Sequence, residues 1–373
     1  MGRAKAMEEL MRRAQQNAGE AVNWTDLCQR IDDGLVIPIV GNGLVNELLF
    51  PLTEEDLREV EPGKENLLGW SIEEYQSVFW AKSIEYPLPE SHVLSRVALF
   101  DRVVNSQDER QAKTRYLDWL KDFFLTLAQL ENGNADRIAE LRDELGRRSL
   151  SFMAAELGYP KPVDGGVSTL DLLARLNLPI YITTSPFDLL ERAIANNKRT
   201  PRTQICFWRG TEPLNWLDAT HKTDYGFKPT KEQPLVYHMF GLEAYPESMV
   251  LSEEDYLDFI TALAKDTNAD KPVVPLYLRD AITQSSLILL GFRLRDADLR
   301  VLFRGLINEM PSAKRQHSLA VQIDPRQRSQ VVSTEKLVNY LKRYFGDSKF
   351  TIEWNSPQGF ATKLWQEYDK WRG

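Results

Sequence analysis

Seven short apolar runs, separated by segments with helical periodicity, constrain the fold more than any other feature of this sequence. Each run has the length of a buried strand and is too short to span a membrane. The runs lie at residues 35–40, 179–184, 204–207, 234–240, 286–291, 317–323 and 350–354. Continuous apolar strands that alternate with helices are typical of a parallel sheet covered on both faces. The sequence therefore predicts an α/β fold with a Rossmann-like, doubly wound parallel sheet.

A helical segment interrupts this alternation after the first run. From residue 53 to 165 the periodicity predicts about four or five helices and no strand, and the Pro- and Gly-rich stretch 158–166 closes the segment. We therefore predict a nucleotide-binding α/β domain formed by residues 23–52 and 166–373, with an all-helical insertion at 53–165. The polar segment 1–22 has no apolar stretch of the kind that marks a signal peptide.

Composition narrows the classes of function. Lys and Arg number 46 against 54 Asp and Glu, a net charge of -8, which argues against a protein that coats nucleic acid. Cys28 and Cys206 are too few for a disulfide framework or for a four-cysteine zinc site, so we predict no metal. Few cysteines also fit a reducing cytoplasm. We expect a cytoplasmic protein that binds neither nucleic acid nor membrane directly.

The first strand runs directly into Gly41-Asn42-Gly43 and then into a helix. Glycines let the backbone approach a phosphate closely, and the N–H groups of a helix start face an anion. The third glycine of the complete dinucleotide fingerprint is missing, so these residues also fit a plain tight turn.

Two other predicted strands end in polar residues. Thr183, Thr184 and Ser185 follow one of them, at the edge where ligands bind in parallel sheets, although Thr184 or Ser185 could instead cap the next helix. His238 lies near the end of another, shortly before Gly241, and could act as an acid or base there. A lone histidine of this kind also fits a hydrogen-bonded core residue.

The strand at 286–291 ends at Gly291 and is followed by Arg293 and Asp296. Asp296 is a predicted helix cap, and Arg293 could contact phosphate or ribose or simply lie on a solvated helix start. Because the carboxyl ends of parallel strands meet at one edge of the sheet, the four groups of residues converge. Such convergence is what a dinucleotide crevice requires.

Five blocks of the sequence, in this order, resemble the sirtuin-like NAD-hydrolase domains of prokaryotic anti-phage defence systems. The blocks are 36–43, 182–185, 234–241, 248–259 and 287–296, and the resemblance extends over about residues 24–365. It implies a Rossmann-type NAD fold with a helical insertion. It also implies cleavage of the bond between nicotinamide and ribose, which yields nicotinamide and ADP-ribose.

The resemblance also implies roles for residues at matching positions. Gly41, Asn42 and Gly43 would line the pyrophosphate, and His238 would act as a base toward the ribose or the attacking water. The complete predicted NAD-binding set is Gly41, Asn42, Gly43, Thr183, Thr184, Gly291, Arg293 and Asp296. The predicted catalytic set is His238, Ser185 and Asp188.

Ser185 departs from the family pattern, which has Asn at this position. Ser185 has a shorter reach, and Asp188 in the same turn could compensate. The alternative function is therefore a module that binds NAD or ADP-ribose as a signal without turnover. An NAD-dependent protein deacylase is a weaker alternative, because the sequence lacks the four zinc cysteines of that class.

The resemblance finally implies partners. An NAD⁺ hydrolase would poison its own cell unless it were controlled, and the family implies a homo-oligomeric ring or filament, or action beside an ATPase of the ring-forming translocase or STAND type. No Walker A pattern occurs in this sequence, so such an ATPase would be a separate chain. The segment 1–22 and the helical insertion are the predicted assembly surfaces.

Overall fold

The computed structural model describes residues 22–50, 52, 70–106, 108–131, 134–161, 166–209, 221, 224–265, 272–293, 297–302, 319–323, 336, 339–340, 343 and 350–373. Over these residues the chain forms a seven-stranded sheet in which all neighbouring strands are parallel. The strands are β1 Val36–Val40, β2 Ile180–Thr183, β3 Arg202–Ile205, β4 Leu235–His238, β5 Ser286–Leu290, β6 Leu319–Ile323 and β7 Phe350–Trp354.

Helices cover and connect these strands. Those before β2 are α1 Trp24–Asp32, α2 Asn42–Leu49, α3 Ile72–Ser83, α4 Leu94–Asn105, α5 Glu109–Leu130, α6 Ala135–Asp143, α7 Leu150–Glu156 and α8 Thr169–Arg175. Those after β2 are α9 Leu189–Asn196, α10 Glu253–Lys265, α11 Leu276–Gln284, α12 Ala297–Leu302 and α13 Pro357–Arg372. Among the described residues, no helix combines the length and the apolar character that crossing a bilayer requires.

The strand order is β3-β4-β2-β1-β5-β6-β7. β1 lies between β2 and β5, so the sheet extends in opposite directions from this strand. This arrangement confirms the predicted α/β class with a doubly wound parallel sheet. In such sheets ligands bind at the carboxyl ends of the strands, where the direction of winding reverses. In this fold, the residues that follow β1, β2 and β5 lie at that edge of the sheet.

Each predicted strand overlaps an observed one, and β3 shows the clearest shift. It spans Arg202–Ile205, whereas the apolar run predicted 204–207. Arg202 pairs with Leu235, and its guanidinium lies 5.0 Å from the ring centre of Phe227. β3 is an edge strand, so backbone pairing with β4 on one side is sufficient and its first residues need not be apolar.

Pro38 lies in the middle of the central strand, where a proline is unusual. β1 pairs with β5 along its whole length but with β2 only at Ile39 and Val40. The Val40 carbonyl accepts the Thr184 N–H on the β2 side at 3.0 Å. Because backbone groups along a strand point alternately to its two neighbours, Pro38 also faces β2. The missing N–H of Pro38 therefore lies before the first residue of β1 that pairs with β2.

The helices between β1 and β2 share a core with one face of the sheet. One apolar cluster contains Val36 and Val40 of β1 together with Trp80 of α3 and Leu117 and Phe124 of α5. The alternate β1 residues, Ile37 and Ile39, belong to a second cluster on the other face. The period-two alternation of β1 thus separates the two cores. The helical segment completes the first of them.

Buried polar contacts also fasten this helical segment to the loops of the sheet. The Lys113 ammonium donates to the Met249 carbonyl at 2.6 Å and to Asp255 Oδ1 at 3.1 Å. The Glu243 carboxylate accepts the N–H groups of Leu150 at 2.7 Å and Ser151 at 3.1 Å, at the start of α7. Negative charge is favourable at a helix N-terminus. Both contacts hold the loops that follow β4.

Candidate functional site

A cavity of about 470 Å³ opens at the carboxyl ends of the central strands. Its wall contains Asn42 after β1, Thr184 after β2, Phe240 after β4 and Gly291 after β5. Residues 71–120 of the helical segment contribute Ser71, Glu73, Glu74, His92, Val93, Leu94, Ser95, Arg96, Tyr116 and Leu120. The volume lies within the usual range for small-molecule sites. The helical segment therefore forms part of the cavity wall.

Most of the predicted NAD-binding residues lie at this cavity. Those in its wall are Asn42, Gly43, Thr184, Gly291 and Arg293. Gly41 and Thr183 are not among its lining residues. Asp296 lies outside the residues that the structure describes. The convergence of the β1, β2 and β5 ends, inferred from parallel pairing, is therefore present in the fold.

The glycines of the β1 and β5 turns are required by contact between the two turns. A Cβ on Gly41 would lie 2.7 Å from the Gly291 carbonyl oxygen, and one on Gly43 would lie 2.6 Å from it. Gly291 has φ +73°, and a Cβ there would lie 2.3 Å from the Cβ of Leu44. Backbone packing therefore explains these glycines without a ligand. The Gly-x-Gly pattern is therefore explained by the close packing of the turns after β1 and β5.

A hydrogen-bonded chain crosses the cavity wall through Thr184. Its hydroxyl accepts the Asn42 N–H at 3.0 Å and bonds to the Asp298 carboxylate. Tyr256 donates its phenolic hydrogen to the same carboxylate. Burial raises the pKa of Asp298 to about 6, although the hydrogen bonds from Tyr256 and Thr184 act in the opposite direction. The wall thus holds a carboxyl group that titrates close to neutral pH.

Two other carboxylates of the described wall, Glu74 and Glu253, are paired with guanidinium groups. Arg293 forms an ion pair with Glu74, and Arg96 lies 2.9 Å from Glu253. The Asn42 side-chain amide donates to Glu73 Oε2 at 3.2 Å, while its own Oδ1 is buried and has no hydrogen-bond partner among the described residues. Together with Asp298, the described residues of the lining carry four carboxyl groups and two guanidinium groups. Over these residues the balance of charge is acidic.

The structure places His238 behind the cavity and fully buried. Its Nδ1 lies 2.9 Å from the Ser185 carbonyl oxygen, and its Nε2 lies 2.7 Å from Glu191 Oε1. Because a carbonyl only accepts, Nδ1 carries a hydrogen and donates it. Burial alone would lower the pKa of His238, but the Glu191 carboxylate outweighs this effect and the pKa is raised. Both ring nitrogens are engaged in these contacts.

Ser185 and Asp188 also lie outside the cavity wall. Ser185 is buried, and its hydroxyl accepts the Phe187 N–H at 3.4 Å. The Asp188 carboxylate pairs with Arg192 at 2.8 Å on α9. The predicted catalytic residues are therefore not brought to the cavity, and their catalytic roles stay predictions. At the end of β2 the wall is formed by Thr184, Pro186 and Phe187.

Several cavity residues were missed by the sequence reasoning. They are Asp298, Tyr256, Phe240, Glu73 and His92. Asp298 stands two residues after Asp296, which lies outside the described residues and stays a prediction. His92 has no strand or glycine beside it, and only the packing of the helical segment brings it to the cavity. Its ring stacks on Trp70 at 5.3 Å.

A family model described as the SIR2-like domain matches residues 179–344, which is less than half of the chain. The matched stretch contains Thr184, Tyr256 and Asp298 of the cavity, whereas Asn42 and the helical segment lie outside it. SIR2-like domains use NAD, so the match supports a sirtuin-type, NAD-related function and is compatible with NAD-dependent activity. A search among curated proteins finds no match.

Proposed function

We propose, on the premise of the SIR2-like match, that this cavity binds NAD⁺ and that the protein cleaves its nicotinamide–ribose bond. The observation that carries the proposal is the meeting of three strand ends in one cavity. Asn42 and Gly43, Thr184, and Gly291 with Arg293 come together where the winding of the sheet reverses. That is the place where parallel α/β sheets bind dinucleotides.

The composition of the wall fits the parts of NAD⁺. The start of α2, at Asn42 and Gly43, is a suitable place for the pyrophosphate, and Arg293 supplies a guanidinium once Glu74 is displaced or shared. The excess of carboxyl groups favours the positively charged nicotinamide ring. Phe240 and Tyr116 offer aromatic surfaces against which planar rings pack.

The biological role that we propose follows from the reaction. Cleavage of NAD⁺ to nicotinamide and ADP-ribose would deplete the cell of NAD⁺, which is the action of an effector in anti-phage, abortive-infection defence. Such an activity must be kept silent until a signal arrives. We therefore propose control by homo-oligomerisation into a ring or filament and by a separate partner ATPase.

One observation favours a second function, a module that binds NAD or ADP-ribose without turnover. The family resemblance assigns the base to His238, but this ring is buried with both nitrogens engaged. The cavity wall after β4 is instead formed by Phe240, which cannot transfer a proton. Turnover would then depend on another group of the wall.

Incubation of the full chain with NAD⁺, with and without an ATPase encoded beside it, tests these functions. Chromatographic detection of nicotinamide and ADP-ribose would support the hydrolase. Binding without product would support the module, and it would be seen as a higher melting temperature with NAD⁺ or ADP-ribose. A ligand at 100 times its Kd stabilises a protein by about 2.7 kcal/mol, which such melting measurements resolve.

The location of the site is tested with two asparagine variants. Asn42→Ala removes a side chain of the cavity wall and should reduce the stabilisation by NAD⁺. Asn197→Ala, whose side chain bonds to the Ala193 carbonyl away from the cavity, should keep it. Equal stabilisation of both variants would contradict this location, and no stabilisation of the wild type would contradict NAD⁺ binding.

A further inference from the structure

We propose that Asp298 is the catalytic carboxylate of this cavity, which holds the nicotinamide ribose and accepts a proton from the attacking water. The inference rests on the proposed function, because it requires NAD⁺ in the cavity. It replaces a base role for His238 with a group that lies in the wall itself.

The position of Asp298 is set by groups from two different elements. Tyr256 on α10 donates to Oδ1, and the Thr184 hydroxyl at the end of β2 bonds to the same carboxylate. Thr184 is itself held by the Asn42 N–H at the start of α2. Asp298 is thereby fixed beside the strand ends where a dinucleotide would lie. A carboxylate held in this way is pre-organised for contact with a ribose.

The partners of Asp298 distinguish it from the other carboxylates of the wall. Glu74 is paired with Arg293, Glu253 with Arg96, and Glu73 accepts the amide of Asn42. Among the described residues, Asp298 is held by the hydroxyl groups of Tyr256 and Thr184, which orient the carboxylate without neutralising its charge, whereas Glu74 and Glu253 face guanidinium groups. It therefore keeps the capacity to stabilise the positive charge that develops on the ribose as nicotinamide leaves.

The protonation state of Asp298 suits the same task. Burial brings the pKa of Asp298 to about 6. The group is therefore ionised at neutral pH, and its pKa is close enough to neutral for it to take up a proton during the reaction. Phe240 packs edge-on against the ring of Tyr256, with ring centres 5.8 Å apart. This contact supports the ring of Tyr256, whose hydroxyl donates to Asp298. An acid with a raised pKa in a cavity is a common mark of a functional site.

The proposed step is a hydrolysis that balances without a further reactant. The water oxygen forms a bond to C1′ of the ribose while the bond from C1′ to the nicotinamide nitrogen breaks. The electron pair of that bond stays on nicotinamide, which leaves as a neutral molecule. The proton of the water passes to Asp298 and then to solvent. NAD⁺ and water thus become nicotinamide, ADP-ribose and a proton.

The test uses the full chain and carba-NAD⁺, an NAD⁺ analogue whose nicotinamide bond resists hydrolysis because a methylene group replaces the ring oxygen. Its Kd is measured by calorimetry between pH 5 and pH 8 for the wild type and for Asp298→Asn. The wild type should bind more tightly as pH rises through about 6, because Asp298 becomes ionised. Asp298→Asn should bind about tenfold more weakly at pH 7.5 and lose this pH dependence.

Two further variants separate this role from a structural one. Tyr256→Phe keeps the ring but removes a hydrogen bond that lowers the pKa of Asp298, so the midpoint of the binding profile should move to higher pH. Asp258→Asn removes an exposed carboxylate from α10, the helix that carries Tyr256, and should leave the pH profile of binding unchanged. Under conditions in which the wild type releases nicotinamide, Asp298→Asn should reduce the rate about 100-fold or more.

The outcomes distinguish this inference from the proposed function. If the wild type binds carba-NAD⁺ and Asp298→Asn shows the same Kd and the same pH profile, the role of Asp298 is refuted while NAD⁺ binding stands. If the wild type does not bind the analogue or NAD⁺ at any pH, both the proposed function and the role of Asp298 are refuted. If Asp298→Asn binds carba-NAD⁺ more weakly than the wild type and without pH dependence, NAD⁺ binding and the role of Asp298 are both supported.

Discussion

At the scale of single residues, two histidines show that neighbours in the sequence do not decide which side chains reach the cavity. His238 has the context of a site residue because it ends a strand before a glycine, and the structure turns its ring away from the cavity toward Glu191. His92 has no such context, and the structure places it in the wall. A strand end specifies the edge of the sheet at which a residue lies. It does not specify the direction of each side chain.

This placement predicts a stability effect for His238. In His238→Ala the buried Glu191 carboxylate loses its ring partner, and its Oε2 already has no hydrogen bond within the described part of the chain. Breaking a buried charged pair costs about 3 kcal/mol or more, so urea unfolding should show a loss of this size. His92→Ala alters a half-buried ring and should cost about 1 kcal/mol or less. Similar losses in both variants would contradict a stabilising His238–Glu191 contact.

At the scale of elements, the turns after β1 and β5 act as one unit. The helix start at Asn42 and the end of β5 at Gly291 approach so closely that neither Gly43 nor Gly291 has room for a Cβ. The same closeness brings Arg293 and Asn42 into one wall. The apolar runs predicted both strands. Their adjacency depends on the register in which Val36–Val40 pairs with Ser286–Leu290.

Gly43→Ala is expected to weaken the fold through this contact. The new Cβ would lie 2.6 Å from the Gly291 carbonyl, so one of the two turns would have to shift. Overpacking of this kind costs about 1–3 kcal/mol, measured by the midpoint of chemical unfolding. Gly146→Ala is the matched control, because a Cβ there meets nothing within 4 Å. An equal loss in the control would point away from steric contact.

At the scale of the whole molecule, the helical segment between β1 and β2 is built into the sheet domain. Trp80 and Phe124 belong to the same core as Val40, and Glu73 and His92 complete the cavity. The insertion was predicted from its place in the sequence, and its helical periodicity did not indicate that it shares a core and a cavity with the sheet. The site therefore depends on both parts of the chain, and so does the stability of one face of the sheet.

The buried Lys113–Asp255 pair is a direct test of this coupling. Lys113→Met keeps the length and apolar stem of the side chain but leaves Asp255 and the Met249 carbonyl without the ammonium. Because Asp255 keeps its ion pair with Arg209, the free energy of unfolding should fall by about 1–3 kcal/mol, the cost of buried acceptors that lose a donor. Lys265→Met at the exposed end of α10 should change it by less than about 0.5 kcal/mol. An unaffected Lys113→Met variant would show that this pair does not join the two parts.

Much of the architecture was accessible from the sequence. Apolar runs of strand length predicted all seven strands, because a strand buried on both faces must be apolar throughout. The alternation with helices predicted the parallel sheet, and the strand ends predicted that Asn42, Thr184 and Gly291 would converge. β3 was displaced because its first residues, Arg202 and Thr203, pair by backbone at an edge and carry no apolar signal.

The sequence by itself thus determined the class of fold and the edge of the sheet that carries the cavity, since both follow from local periodicity and from parallel pairing. The tertiary structure alone decided which side chains reach that cavity. Asp298, Tyr256 and His92 come together from α12, α10 and the helical segment. His238 was turned toward Glu191 by a buried charge that required a partner. Contacts between residues far apart in the chain depend on packing and charge pairing, which have no local periodicity.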